Sequence, residues 1–360
     1  MQNDTVLVKL FTVLLFSLLL LSFFAIYSVS GAVFDEYVKK HLLTIIFSIS
    51  ISLFVARINS QFIYDNAFAI YLAVLFLLIV TLFIGHKAMG AQRWINFGIL
   101  NLQPAEFAKI AVILVLAQYF HNVHSNFINK FSTWVLPLLM VLLPVLLILK
   151  QPNLGTAMII ILNAIVILYL AGIKTIYFLV TGLCCLAAIP AVWLVMHDYQ
   201  KQRVLTFIDP GSDPLGAGYN ILQSMISIGS GGLFGKGFVQ GSQNQLKFLP
   251  ENHTDFIFAL IAEEGGFILC FLVFLLYMGI LFLLLIFSHK SSSQFQRLFI
   301  GGFAALLFIQ VSINIAMISG MLPVVGVPLP FLSFGGSNIL AMSLGIGLVL
   351  NFFLNKEQNY

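Results

Sequence analysis

Ten apolar stretches, at about 10–29, 42–56, 67–85, 106–120, 134–149, 155–171, 176–196, 264–287, 298–319 and 337–354, each approach the roughly 20 residues that a helix needs to cross a bilayer. In hydrocarbon every backbone N–H and C=O must be satisfied internally, so repeated runs of this length and composition are folded as helices. Apolar residues make up 60% of the chain and charged ones 8%, with a mean hydropathy of +1.04, whereas soluble globules carry about a quarter charged residues. The expected fold is an all-α polytopic integral membrane protein with about ten transmembrane helices. Residues 1–360 form a single domain, and one long loop, about 197–254, separates the seventh and eighth spans. The shorter runs at 42–56 and 106–120 are expected to carry polar residues into the interface or to border a wet cavity.

The first run is followed by Ser30-Gly31-Ala32, which resembles a signal cleavage site, but its length is that of an uncleaved anchor. Cys184, Cys185 and Cys270 lie within apolar runs without the spacing of a zinc site or redox couple. The net charge of +4 is spread over many connections, with no basic run, so nucleic acid is not an expected partner. Seven basic residues, Lys9, Arg57, Lys130, Lys174, Lys290, Arg297 and Lys356, share the side of the termini. Lys39, Lys40, Lys87, Arg93, Lys109, Lys150, Lys201, Arg203, Lys236 and Lys247 fall on the other side, with the long loop. Charge counting leaves the orientation open. The excess on the loop side suits an anionic ligand, or membrane-lipid headgroups around a solvated rim.

Four polar constellations share that loop side. Asp255 follows Leu249-Pro250-Glu251-Asn252-His253-Thr254 and precedes Phe256-Ile257-Phe258-Ala259. Gly265–Phe287 is long enough to span alone, so Asp255 stands above it, at the rim of the hydrocarbon, where a lone carboxylate marks an ion path, a substrate contact or a base. The bland alternative is a capping carboxylate at the helix start. In Gly90-Ala91-Gln92-Arg93-Trp94-Ile95-Asn96 and Gln103-Pro104-Ala105-Glu106-Phe107-Ala108-Lys109, the three-residue spacing lets Glu106 pair with Lys109 on a helix opened by Pro104. Arg93 has no sequence-local partner and is expected to remain available to an anion. Gln151-Pro152-Asn153-Leu154-Gly155-Thr156 breaks the helix at membrane depth and reads either as a cavity wall or as an ordinary tight turn. Gly229-Ser230-Gly231-Gly232-Leu233-Phe234-Gly235-Lys236-Gly237 fails the phosphate-loop pattern, because Gly237 replaces the required Ser or Thr and no strand precedes it, although Lys236 remains a candidate phosphate contact. His121 and His124 have no sequence-near third ligand and read as loop histidines.

Together these stretches, with Asp209-Pro210, Asp213-Pro214 and Leu322-Pro323-Val324-Val325-Gly326-Val327-Pro328-Leu329-Pro330, resemble the SEDS family (shape, elongation, division and sporulation) nearly end to end. Members are membrane glycosyltransferases that polymerise peptidoglycan from lipid II. Short tails and the wording of 324–328 are more similar to the elongation branch, RodA, than to the division branch, FtsW. Three positions depart from the family pattern: Asn153 for the usual Asp, Ala105 for Ser and Phe334 for Tyr. The resemblance implies both termini in the cytoplasm and the long loop and active site outside the bacterial inner membrane. It also implies a class B penicillin-binding protein as transpeptidase partner around the eighth and ninth spans, other elongation machinery, and a divalent cation, Mg2+ or Mn2+, with no organic cofactor.

The expected chemistry is inverting attack of a GlcNAc 4-hydroxyl on the anomeric carbon of a lipid diphosphate-linked MurNAc. Diphosphate leaves well once its charge is balanced, so one carboxylate base suffices where glycosidases need two. Asp255 is assigned as that base, Arg93 and Lys109 as diphosphate-binding, Glu106 as orienting Lys109, and Trp94 as packing on sugar or lipid. Gln103, Asn153, His253 and Lys236 are supporting candidates. A lipid II flippase or other transporter and a scaffold that recruits a transpeptidase are the rival classes. Transporters often show paired broken helices in two repeats, which are not visible here.

Overall fold

The structure is a computed structural model that describes all residues except 1, 89–90, 97–100, 197, 214–215, 247, 249–252 and 356–360. Gly90, Pro214, Lys247, the Leu249–Asn252 stretch and Lys356 therefore lie outside the described residues. Helices run α1 (Gln2–Val29), α2 (Glu36–Val55), α3 (Ser60–Asp65), α4 (Ala67–Ile84), α5 (Pro104–Asn122), α6 (Phe131–Lys150), α7 (Leu154–Leu170), α8 (Thr175–Val195), α9 (Asp198–Ile208), α10 (Ala217–Ser230), α11 (Ser242–Gln245), α12 (Ile257–Lys290), α13 (Gln294–Ile318) and α14 (Gly336–Leu354). Each of the ten apolar runs falls on one of these helices. Seven of them, α1, α2, α4, α6, α12, α13 and α14, are long and apolar enough to cross a membrane. The apolar stretches of α7 and α8 are shorter, and α5 carries Glu106 and Lys109.

Burial separates the centre of the bundle from its rim. The most apolar window of α14 is 89% buried and that of α13 67%, against 22% for α4, so α13 and α14 form the interior and α4 faces lipid. Helix α5 is buried almost continuously from Pro104 to Ala117 between α4, α7, α13 and α14. Local signals set the helix starts: Asp35 accepts from the Val38 amide at 2.9 Å to cap α2, and Pro104, which has no N–H to leave unpaired, opens α5. Across the bundle, Asn351 of α14 donates to the Val55, Ala56 and Ile58 carbonyls, closing the end of α2. Carbonyls at a helix end lack intrahelical partners, and Asn351 supplies donors to them.

A small antiparallel sheet, which apolar periodicity does not reveal, connects α4 to α5: β1 (His86–Ala88), β2 (Ala91–Asn96) and β3 (Asn101–Leu102), in the order β1-β2-β3. It fixes the direction in which β2 presents Arg93 and Trp94.

The long loop folds back on α12. At Gly266 the helix is interrupted, with φ +64 and ψ −164, a conformation open to glycine and strained for other residues. The backbone groups freed there bond to the loop: the amides of Lys236 and Gly237 donate to the Glu263 and Glu264 carbonyls at 2.9 and 3.0 Å. The amides of Phe267 and Ile268 donate to the Gly232 and Leu233 carbonyls at 2.9 and 3.2 Å. Irregular backbone is thus kept paired beside a membrane-spanning helix.

Candidate active site

Asp255 lies in the turn 253–256, just ahead of α12, whose N-cap is Phe256. The cap-carboxylate reading of Asp255 is therefore corrected: the helix begins after it. Its carboxylate rests against the segment between α13 and α14, where a Cβ built on Gly326 would lie 3.4 Å from Asp255 Oδ2. Gly326 has φ +69, so the chain turns there without a side chain to crowd the acid. Both residues line a cavity of about 470 Å³, with Arg93, Trp94, Asn101, Gln103, Glu106, Asn153, Thr156, His253, Thr254, Pro328, Phe334, Gly335, Gly336, Ser337 and Asn338 completing its wall.

Glu106 supplies the second carboxylate of this wall. Its Oε2 accepts from Lys109 Nζ at 2.8 Å, across the i,i+3 spacing, and from Asn338 Nδ2 at 2.6 Å. The side chains of Lys109 and Glu106 are 1% and 5% exposed, deep enough that neither charge would be tolerated alone. Lys109 is not part of the cavity wall; its ammonium stands behind Glu106. The Lys109 ammonium is thus held by Glu106 rather than presented on the wall where a diphosphate contact was expected of it.

Arg93 is the one Lys or Arg on the cavity wall among the described residues. Contrary to the expectation of an uncommitted guanidinium, its Nε donates to the Gln151 carbonyl at 3.0 Å and its Nη2 to the Pro152 carbonyl. These bonds tie β2 to the α6–α7 turn and aim the guanidinium. In the same turn Asn153, 4% exposed, accepts from the Thr156 amide at 3.4 Å and caps α7. That work needs a side-chain oxygen but no charge, which accounts for Asn serving there.

Three further candidates divide. The Gln103 amide donates to Ser337 Oγ, which donates to the Asn101 carbonyl, both at 2.8 Å, joining the start of α5 to the start of α14. The His253 ring packs 5.7 Å from Phe334 and 5.9 Å from Tyr37 at the cavity edge. Lys236 lies elsewhere: its ammonium bonds Glu263 at 2.7 Å and Ser242 at 2.8 Å, and it does not line the cavity.

The family model described as "Cell cycle protein", which groups FtsW, RodA and SpoVE, matches residues 8–358. The chain belongs to the SEDS family. It is 39% identical over 345 residues to the Peptidoglycan glycosyltransferase MrdB of Escherichia coli strain K12, covering 96% of this chain and 92% of that one. It is similar, with TM-score 0.85 and 30% identity over 97% of this chain and 98% of the other, to a chain from a study of the structural coordination of polymerization and crosslinking by a peptidoglycan synthase complex. The Thermus thermophilus rod shape determining protein RodA is similar with TM-score 0.73 and 27% identity, covering 97% of both chains.

Within this SEDS chain, sequence reading overlooked Asn101, Ser337 and Asn338. A signal was present for Asn338, an amide in the first turn of a mostly apolar span, where polar groups are costly unless paired. No three His, Cys, Asp or Glu side chains cluster as a ready-made metal site among the described residues. A magnesium-type ion needs only one or two carboxylates plus substrate phosphates. Asp255 and Glu106, lining one cavity, fit that smaller requirement.

Proposed function

We propose that this chain is a peptidoglycan glycosyltransferase that polymerises lipid II into glycan strands for cell elongation and rod shape. The observation that carries the reading is the placement of Asp255, Glu106 and Arg93 on the wall of one cavity, in a chain similar to MrdB along nearly its whole length. The GlcNAc 4-hydroxyl of one unit attacks the anomeric carbon of another. As the new C–O bond forms, the bond to the lipid diphosphate breaks with inversion, and Asp255 accepts the hydroxyl proton.

Arg93, aimed by the Gln151 and Pro152 carbonyls, balances charge on the departing diphosphate. Lys109 orients Glu106, and Glu106 with Asp255 would hold Mg2+ or Mn2+ together with the substrate phosphates. Such an ion, when bound, neutralises diphosphate charge. Trp94 packs on sugar or lipid. Both termini are assigned to the cytoplasm and the cavity to the outer face of the bacterial inner membrane. A class B penicillin-binding protein docks around α12 and α13 and crosslinks the strands.

The test is lipid II supplied in detergent to the purified protein, alone and with a class B penicillin-binding protein. With no bilayer to cross, flipping cannot pass for polymerisation. Glycan chains are expected from the wild type, and an Asp255→Asn variant that remains folded should be slower by about 10²- to 10⁴-fold. Near-normal synthesis by that variant would remove the base assignment, and no polymer from the wild type under either condition would favour a transporter or scaffold.

A further inference from the structure

Asn314 sits one turn before the end of α13, fully buried, and does not itself line the cavity. Its side-chain amide donates twice, to the Asp255 carbonyl at 2.9 Å and to the Val327 carbonyl at 2.7 Å. Neither carbonyl belongs to a helix or strand: Asp255 is in the turn before α12, and Val327 is in the extended stretch between α13 and α14. Those two segments form facing parts of the same wall, with Asp255 Oδ2 against Gly326 on one side and Pro328 on the other flank of Val327. One planar NH2 group therefore sets the spacing between the acid and the backbone it rests on.

We propose that Asn314 is the positioning residue of this site, holding the Asp255 turn and the Gly326–Pro328 segment in register so that the carboxylate keeps its place on the cavity wall. The inference rests on the reading of Asp255 as general base and adds the device that holds it. An amide suits the task for a chemical reason. Both of its N–H bonds diverge from one nitrogen, so a single group satisfies two carbonyls that converge from different chain segments. An ionised carboxylate in its place would set acceptor against acceptor, a protonated one could serve a single carbonyl, and an aliphatic side chain would remove both of these donors. A base moved by about 1 Å loses on the order of 10²-fold in rate.

The experiment compares lipid II polymerisation kinetics in detergent for Asn314→Asp, Asn314→Leu and Asn314→Ser, each with its thermal unfolding midpoint. Gln310→Leu, one turn earlier on α13, serves as a packing control, because both polar atoms of the buried Gln310 side chain are without a hydrogen-bond partner. Asn314→Asp and Asn314→Leu should lower kcat by about 10- to 100-fold with KM within about twofold. Asn314→Ser, whose hydroxyl serves at most one carbonyl, should fall between them and wild type, and Gln310→Leu should stay within about twofold on both constants.

Wild-type kcat in Asn314→Asp, which preserves shape while leaving at most one donor, overturns the proposal. So does a KM that rises in step with a falling kcat. Should Asn314→Asp fail to fold, Asn314→Ser decides, and kcat within twofold of wild type then overturns the proposal. Asp255→Asn, run alongside, separates the two readings: full activity there removes the base itself, whereas an inactive Asp255→Asn beside an active Asn314→Asp removes only the positioning role.

Discussion

At the scale of residues, the most costly arrangement is the Glu106–Lys109 pair. Moving either ion out of water carries a penalty of several kcal/mol, and the pair repays it through a 2.8 Å contact reinforced by Asn338. Removing only Lys109 leaves a buried carboxylate without its cation. Lys109→Met should therefore destabilise the protein by about 3–5 kcal/mol, while Glu106→Gln combined with Lys109→Met should recover much of that loss. Thermal unfolding of both variants beside wild type in detergent measures the stability. Polymerisation assays on the double variant then report what the Glu106 charge contributes to turnover. The local i,i+3 spacing made this pair legible in the sequence, whereas the third member, Asn338, lies 232 positions away.

At the scale of elements, α12 and the loop before it form one unit. The break at Gly266 exposes backbone groups that a continuous helix would satisfy, and residues 232–237 of the loop satisfy them. A Cβ on Gly266 would lie 2.3 Å from the Gly235 amide nitrogen, and its φ of +64 disfavours any other residue. Gly266→Ala should cost about 1–3 kcal/mol from backbone strain alone, and should loosen the loop where it meets the helix. Hydrogen exchange at the Lys236, Gly237, Phe267 and Ile268 amides is the measurement. These four should lose protection together while amides in α14 keep theirs. In the sequence this glycine-rich stretch read only as a failed phosphate-loop pattern with Lys236 as a candidate phosphate contact. Its actual partner, the interior of a broken helix, depends on two segments meeting and leaves no mark in local periodicity.

At the scale of the whole molecule, α13 and α14 form a buried centre, and the cavity opens where their connection meets β2, the α6–α7 turn and the Asp255 turn. The only titratable carboxylates on this wall, among the described residues, are Asp255 and Glu106. That supply suits a cation held jointly with a diphosphate better than one bound by the protein alone. Chelation with EDTA should therefore abolish polymerisation and added Mg2+ or Mn2+ should restore it. The thermal unfolding midpoint of substrate-free protein should barely move on chelation, since little of the ion's binding comes from the resting chain. A large midpoint shift would instead point to a resident metal.

The amino-acid sequence by itself determined the class of fold, because a run of twenty apolar residues has one common solution in a bilayer. It also determined the placement of Asp255 ahead of the eighth apolar run and the pairing of Glu106 with Lys109, both of which rest on neighbours a few positions apart. Only the tertiary structure decided that Arg93 is held by two carbonyls, that Lys109 stands behind Glu106, that Lys236 serves Glu263, and that Asn314 joins Asp255 to Val327. The physical reason is range. Helical spacing and hydropathy act over a turn or a span, whereas a hydrogen bond between segments 58 or 59 residues apart exists only once packing of the whole bundle has brought them together.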